Sequence, residues 1–93
     1  MSPEGSDGAV TQERVEREVR EYLLQEFLPG RDPATLTPET ELMAEGLLDS
    51  ISVIRLVAHL EETYGIELEP HEYSADFLGT TQRIAETVTG KLG

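Results

Sequence analysis

The chain has 93 residues, 38% of them hydrophobic, with two Phe, three Tyr, no Trp and no Cys, and it sets 7 Lys and Arg against 19 Asp and Glu for a formal charge of −12. That length gives one domain with a modest core of Leu, Ile and Val and no room to enclose a large active site. The acidity makes nucleic acid and anionic membranes poor partners and favours proteins with a basic face, while the lack of cysteine excludes a disulfide scaffold, a thiolate metal site and a cysteine nucleophile.

Residues 1–9 are Gly, Ser, Asp, Pro and Glu with almost nothing to bury, so they read as a disordered tail ahead of a folded domain at 10–93. No basic start leads into an apolar run, and no stretch approaches the length of a membrane span. The expectation is a cytoplasmic monomer with no membrane insertion.

Thr11 is a candidate N-cap, and Val15, Val19, Tyr22, Leu23 and Phe27 recur at helical spacing, which predicts a first helix to about Leu28, where Pro29-Gly30 stops it. Its other face carries Glu13, Arg14, Glu16, Arg17, Arg20 and Glu21, with Glu13–Arg17 and Glu16–Arg20 as i,i+4 pairs, and reads as solvated. Residues 29–48 form a connection too long to be idle, with Leu36, Leu42, Met43, Leu47 and Leu48 available to pin it and room for a turn of helix in Thr37–Leu42.

Asp49 is suited to cap the second helix, which makes Ser50 its first residue and Gly65 its C-cap. Val53, Leu56, Val57, Leu60 and Tyr64 share the stripe that must be buried, and Ser50 lies at its edge. Beyond Ser50, Ile51, Ile54 and Ala58 form a smaller apolar patch that one core face does not require; it reads as a docking surface, Ile51 mostly exposed and Ile54 partly buried.

Ile66 and Leu68 alternate with Glu67 and Glu69, but a lone four-residue strand has nothing to pair with, so a packed loop is expected. Pro70 suits the first position of a short third helix, His71-Glu72-Tyr73 toward Ala75, and Phe77 and Leu78 return to the core. Thr80 caps a last helix with Ile84, Ala85, Val88 and Leu92 on one stripe, weakened near its end by Gly90. The fold class is all-α, a small antiparallel four-helix bundle of three main helices and one short one, with a long loop between the first and second.

Serine is an ordinary residue at a helix start. At the positive end of the helix dipole it is also a place where a phosphate ester would be stabilised by backbone N–H groups. A hydrolase nucleophile does not fit, because Ser50 is flanked by Asp49 and Ile51 rather than by glycines, and His59 projects about 180° away on the same helix. His59 reads as solvent-facing and His71 as part of a rim or cap. Glu61, Glu62, Glu67 and Glu69 with two scattered histidines match no metal-ligand spacing.

Gly46-Leu47-Leu48-Asp49-Ser50-Ile51 in a small acidic chain resembles the Asp-Ser-Leu attachment motif of the acyl and peptidyl carrier proteins, and the resemblance extends from about Thr11 to Leu92. It implies phosphopantetheine attached covalently at Ser50, with Asp49 capping the helix there, and a terminal thiol that holds acyl or aminoacyl groups as thioesters. It implies no catalysis by the domain. Its partners would be a phosphopantetheinyl transferase, an adenylating or acyltransferring loading enzyme and a downstream synthase or transferase. Leu42 and Leu47 match positions that anchor the long loop, and Ile51 and Ile54 match positions that contact modifying and loading enzymes. Leu48, Arg55 and Ala58 complete the expected partner surface.

Carriers of fatty-acid synthesis place acids two and five residues after the serine, where this chain has Ser52 and Arg55. Together with Tyr64-Gly65-Ile66 and the tail Thr80-Thr81-Gln82-Arg83-Ile84-Ala85, the motif is more similar to free-standing D-alanyl carriers, whose relatives in polyketide and nonribosomal peptide pathways also hold amino acids. The other class that suits the residues is a non-catalytic acidic helical adaptor, binding proteins through the second helix with Ser50 as a plain cap.

Overall fold

A computed structural model describes residues 10–92, so the tail expected at 1–9 lies outside the described residues. Helix α1 spans Gln12–Glu26, opened by Thr11, whose hydroxyl accepts the Arg14 N–H at 3.2 Å. It ends short of the expected Leu28: the N–H groups of Phe27 and Leu28 both turn back to the Leu23 carbonyl, at 2.9 and 3.1 Å. Pro29 disfavours helical backbone at Leu28, which is the physical reason for the early stop.

Helix α2 spans Ser50–Tyr64 and runs antiparallel to α1. At one end Arg55 lies over Phe27, and at the other the Tyr64 hydroxyl donates to Glu18 at 2.7 Å. Between these ends the His59 ring stacks on Tyr22 at 3.6 Å, 8° from parallel. His59 is therefore not the solvent-facing residue expected, because the antiparallel register brings an aromatic ring against its face. Burial lowers its pKa from the usual histidine value.

The charged face of α1 is only partly solvated. Glu16 accepts the Thr81 hydroxyl at 2.6 Å and pairs with Arg20 at 3.2 Å, as the spacing predicts, while Glu18 pairs with Arg14 at 3.0 Å. Glu16, read as facing water, and Glu18 thus tie α1 to the other helices.

Gly65 closes α2 in the left-handed region at φ 68°, its N–H reaching the Glu61 carbonyl at 2.9 Å. Ile66 and Leu68 follow as a buried loop, and the Leu68 N–H is taken by the Glu61 carboxylate at 2.9 Å. The single short helix expected from Pro70 appears as two pieces, a 3-10 turn at Pro70–Glu72 and a separate α3 at Ala75–Leu78. The Glu72 carboxylate explains the break: it folds back to the Glu69 N–H at 2.8 Å and holds Lys91 at 2.8 Å, and extended Ser74 then starts a new turn.

Helix α4, Thr81–Leu92, begins after Thr80, whose hydroxyl accepts the Arg83 N–H at 3.0 Å, and packs on α1 and α3. The all-α fold of three longer helices and a short one, with a long loop after the first, stands as expected. Its core joins Val15, Val19 and Leu23 of α1 to Leu56 and Leu60 of α2 and to Ile84 and Val88 of α4. Among the described residues no helix is long and apolar enough to cross a membrane.

The α1–α2 tie gives a pH-dependent prediction. The Tyr64 hydroxyl, then Arg14, holds the Glu18 carboxyl below its ordinary 4.5, so its contribution is complete above that value and is lost as pH falls through the folded pKa. Tyr64→Phe should cost about 1 kcal/mol at neutral pH, less than a buried charged hydrogen bond because water reaches Glu18. Urea titrations at pH 7 and pH 3 should show that cost shrinking in acid; an equal cost at both would mean that the hydroxyl acts by packing alone.

Candidate functional site

The loop from α1 to α2 is held by a few buried side chains. Asp32 caps a 3-10 turn at Pro33–Thr35, its carboxylate accepting the Ala34 N–H at 3.0 Å. The turn expected within Thr37–Leu42 is there a tight hydrogen-bonded one, Thr40 N–H to Thr37 carbonyl at 3.1 Å, and the 3-10 helix lies earlier, where Pro33 fixes the backbone. Leu36 and Leu42 are fully buried.

Leu42 is the fastening point. Its N–H donates to the Gly79 carbonyl at 2.7 Å, and its own carbonyl accepts from Leu47 at 2.8 Å and Leu48 at 3.1 Å. The chain can double back within those few residues because Gly46 takes φ 76°, a conformation that costs other residues free energy. Arg83 adds an outer strap, 3.6 Å from Glu41.

Fastened in this way, Leu48 is drawn into the core at 5% exposure. It is therefore one of the loop anchors the sequence offered and not the partner-surface residue also expected, as the backbone bonds of Leu47 and Leu48 to the Leu42 carbonyl fold the segment back. The next residue faces out: Asp49 adopts extended backbone and its carboxylate caps α2 by accepting the Ser52 N–H at 2.8 Å. That hydrogen bond is the main reason its pKa lies below the usual aspartate value.

Ser50 is the first residue of α2 and is exposed. Ile51 is 71% exposed and Ile54 59%, so Ile54 is not the partly buried residue expected; α3 is only four residues long and does not reach over it. Arg55 and Ala58 are exposed on the same side of the helix.

An open groove of about 490 Å³ leads away from Ser50, lined by Met43, Leu48, Asp49, Val53, Ile54 and Tyr73. Met43 was expected only to pin the loop, and Tyr73 only to belong to a helix. Their approach to Ser50 joins segments distant in sequence, and no local pattern signals it.

His59 is turned to α1 and is no base for Ser50. His71 is exposed at the rim, edge-on to Phe77 at 5.9 Å. Among the described residues no group of three His, Cys, Asp or Glu side chains could hold a metal ion. The arrangement suits a covalent phosphopantetheine: an exposed primary hydroxyl on a capped helix start, beside an apolar groove along which an arm can lie.

Comparison with known proteins bears on the same residues. The family model for the phosphopantetheine attachment site matches residues 19–88. A D-alanyl carrier protein of Enterococcus faecalis is 29% identical over 63 residues, covering 68% of this chain and 81% of its own length. Acyl carrier protein 2 of Ralstonia nicotianae is 30% identical over 80 residues, covering 81% of this chain and 96% of its own. A D-alanyl carrier protein of Lactococcus lactis subsp. cremoris is 33% identical over 66 residues, covering 71% and 84%.

Two variants separate fastening from capping. Leu42→Ala should destabilise the domain by about 2–5 kcal/mol, since it empties a fully buried site where two segments meet. Asp49→Ala should leave the core intact while amide exchange at Ser52 quickens. Unchanged exchange there would show that the first turn of α2 does not depend on its cap.

Proposed function

This chain belongs to the family whose members bear phosphopantetheine on a serine, and on that premise we propose that it is a discrete acyl or aminoacyl carrier protein with Ser50 as the attachment residue. Carriers of this family are not enzymes, so the chemistry is done on them by others. The observation that carries the reading is the position of Ser50: exposed at the first turn of α2, directly after a loop fastened to the core through Leu42 and Leu48.

When bound, phosphopantetheine supplies a flexible arm ending in a thiol that can hold acyl or aminoacyl groups as thioesters. The protein supplies the rest of what the site needs. Asp49 keeps the helix start in one conformation, so the Ser50 hydroxyl is offered from a fixed place. Among the described residues neither histidine lies beside that hydroxyl, His59 being stacked on Tyr22 and His71 set against Phe77, so the phosphopantetheinyl transferase would take its proton as the Ser50 Oγ–phosphorus bond forms and the diphosphate bond of coenzyme A breaks, the adenosine bisphosphate leaving. Met43, Val53, Ile54 and Tyr73 provide an apolar wall beside the attachment point.

Ile51, Ile54, Arg55 and Ala58 would form the surface met by the transferase, the loading enzyme and the later synthase or transferase. Contacts there should be weak and exchangeable, since one carrier visits several enzymes, while covalent attachment keeps the cargo at high effective concentration once docked. The D-alanyl carriers among the relatives support an aminoacyl cargo. Ser52 and Arg55, where fatty-acid carriers place acids, direct the reading toward polyketide, nonribosomal peptide or cell-envelope pathways in the cytoplasm. The carrier domain is taken as 10–93.

Intact mass before and after incubation with coenzyme A and a broad-specificity phosphopantetheinyl transferase tests the assignment. The wild type should gain one phosphopantetheine, and Ser50→Ala, folded to the same helicity, should gain none. A modified Ser50→Ala protein would remove Ser50 from the site. A folded wild type that begins and stays unmodified would leave the acidic adaptor as the better reading.

A further inference from the structure

Of the seven Lys and Arg residues in the chain, six are Arg and Lys91 is the single Lys, and there is no Cys. Arginine and lysine carry the same charge but differ in reactivity: a guanidinium stays protonated, whereas a lysine that gives up its proton is an amine nucleophile. Lys91 is therefore the one side-chain amine on which an acyl group could be lost as an amide.

That amine is occupied. Lys91 Nζ lies 2.8 Å from Glu72 Oε1, with the lysine side chain 25% exposed and that of the glutamate 12%. Glu72 does not depend on Lys91 for its place, since the same oxygen accepts the Glu69 N–H at 2.8 Å. The Glu69 N–H, then Lys91, hold the Glu72 carboxyl below its ordinary 4.5, so it is a carboxylate at neutral pH. A cation in the last turn of α4 suits the helix dipole without any such partner. Asp76 and Glu86 border the same open hollow, yet Lys91 pairs with the carboxylate that the fold has already fixed.

The pair also stands beside the candidate attachment site. Tyr73, the residue after Glu72, lines the groove that leads away from Ser50. A thioester on an arm lying in that groove would be kept at high effective concentration close to Lys91.

We propose that the Glu72–Lys91 pair guards the cargo: it withholds the chain's single lysine, a latent acyl acceptor, from the thioester on the Ser50 arm. The inference rests on the carrier reading above and adds to it a loss that the fold prevents. The reaction withheld is aminolysis. The neutral Lys91 nitrogen bonds to the thioester carbonyl carbon, the carbon–sulfur bond breaks, and the thiol leaves with the proton that the nitrogen sheds. The product is an amide that thiol exchange cannot return to the arm. While Nζ donates to Glu72 as an ammonium it has no lone pair to offer.

The test follows acetyl on Lys91 by mass mapping of the peptide that begins at Ile84, after hydroxylamine, which strips thioesters and leaves amides. A broad-specificity phosphopantetheinyl transferase given acetyl-coenzyme A loads the arm and its cargo together onto the wild type, Glu72→Gln and Lys91→Arg, each checked for unchanged helicity. Glu72→Gln keeps an oxygen for the Glu69 N–H while removing the charge, and should acetylate Lys91 roughly fivefold faster than the wild type. Lys91→Arg should gain no amide in that peptide. Molar salt should raise the wild-type rate toward that of Glu72→Gln, and this decides the matter if the variant does not fold. A loaded Glu72→Gln protein acetylated at Lys91 within about twofold of the wild-type rate, or, without a folded variant, no rise in salt, would overturn the inference and leave the carrier reading standing. Failure of the wild type to take up acetyl-phosphopantetheine at all would instead strike the carrier reading and this inference together.

Discussion

The structure depends on the three backbone hydrogen bonds at Leu42. One fastens the loop to the end of α3 through Gly79, and two fold Leu47 and Leu48 back over Leu42, so a single buried residue connects the loop, the short helix and the entrance to α2. Backbone groups inside a protein must find partners, and here the partners are supplied by the site's own approach segment. The position of Ser50 follows from that fastening, because Leu48 is inside and only Asp49 stands between them.

Much of this was legible in the residues and some was not. The caps Thr11, Asp49, Gly65 and Thr80 could be read because each answers a local need of a helix end. The buried stripe of α2 could be read because the helical period puts Val53, Leu56, Val57 and Leu60 on one side. The reading went astray where a residue's surroundings come from another segment. His59 looked solvent-facing until α1 laid Tyr22 against it, Leu48 suited both the loop's anchor and the surface until Leu42 drew it in, and Ile54 looked half-covered although it is 59% exposed. The break at Ser74 escaped for the same reason, since Lys91 reaches Glu72 from the far end of the chain.

The candidate site divides in the same way. Ser50 and Asp49 are adjacent in sequence and form a recognisable motif, so the candidate attachment point could be proposed from the residues alone. The groove needs Met43 from the loop and Tyr73 from beyond α2, and the seat of Arg55 needs Phe27 from the end of α1. A long-range pairing leaves no trace in local periodicity. Arg55 stood out only as a departure from the family pattern, and its support became visible once α1 and α2 were packed together.

The distribution of charge has an effect on how copies of the protein treat one another. Arg14, Arg20, Arg55, Arg83 and Lys91 each lie within 4 Å of a carboxylate of their own fold, on a chain whose net charge is −12. At cellular salt two such molecules repel once their surfaces come within roughly 8 Å. On the carrier function proposed above, that repulsion would discourage one arm from meeting another, and with it the unguided exchange of cargo between copies. Electrostatic self-avoidance would keep each load on its own carrier until an enzyme removes it.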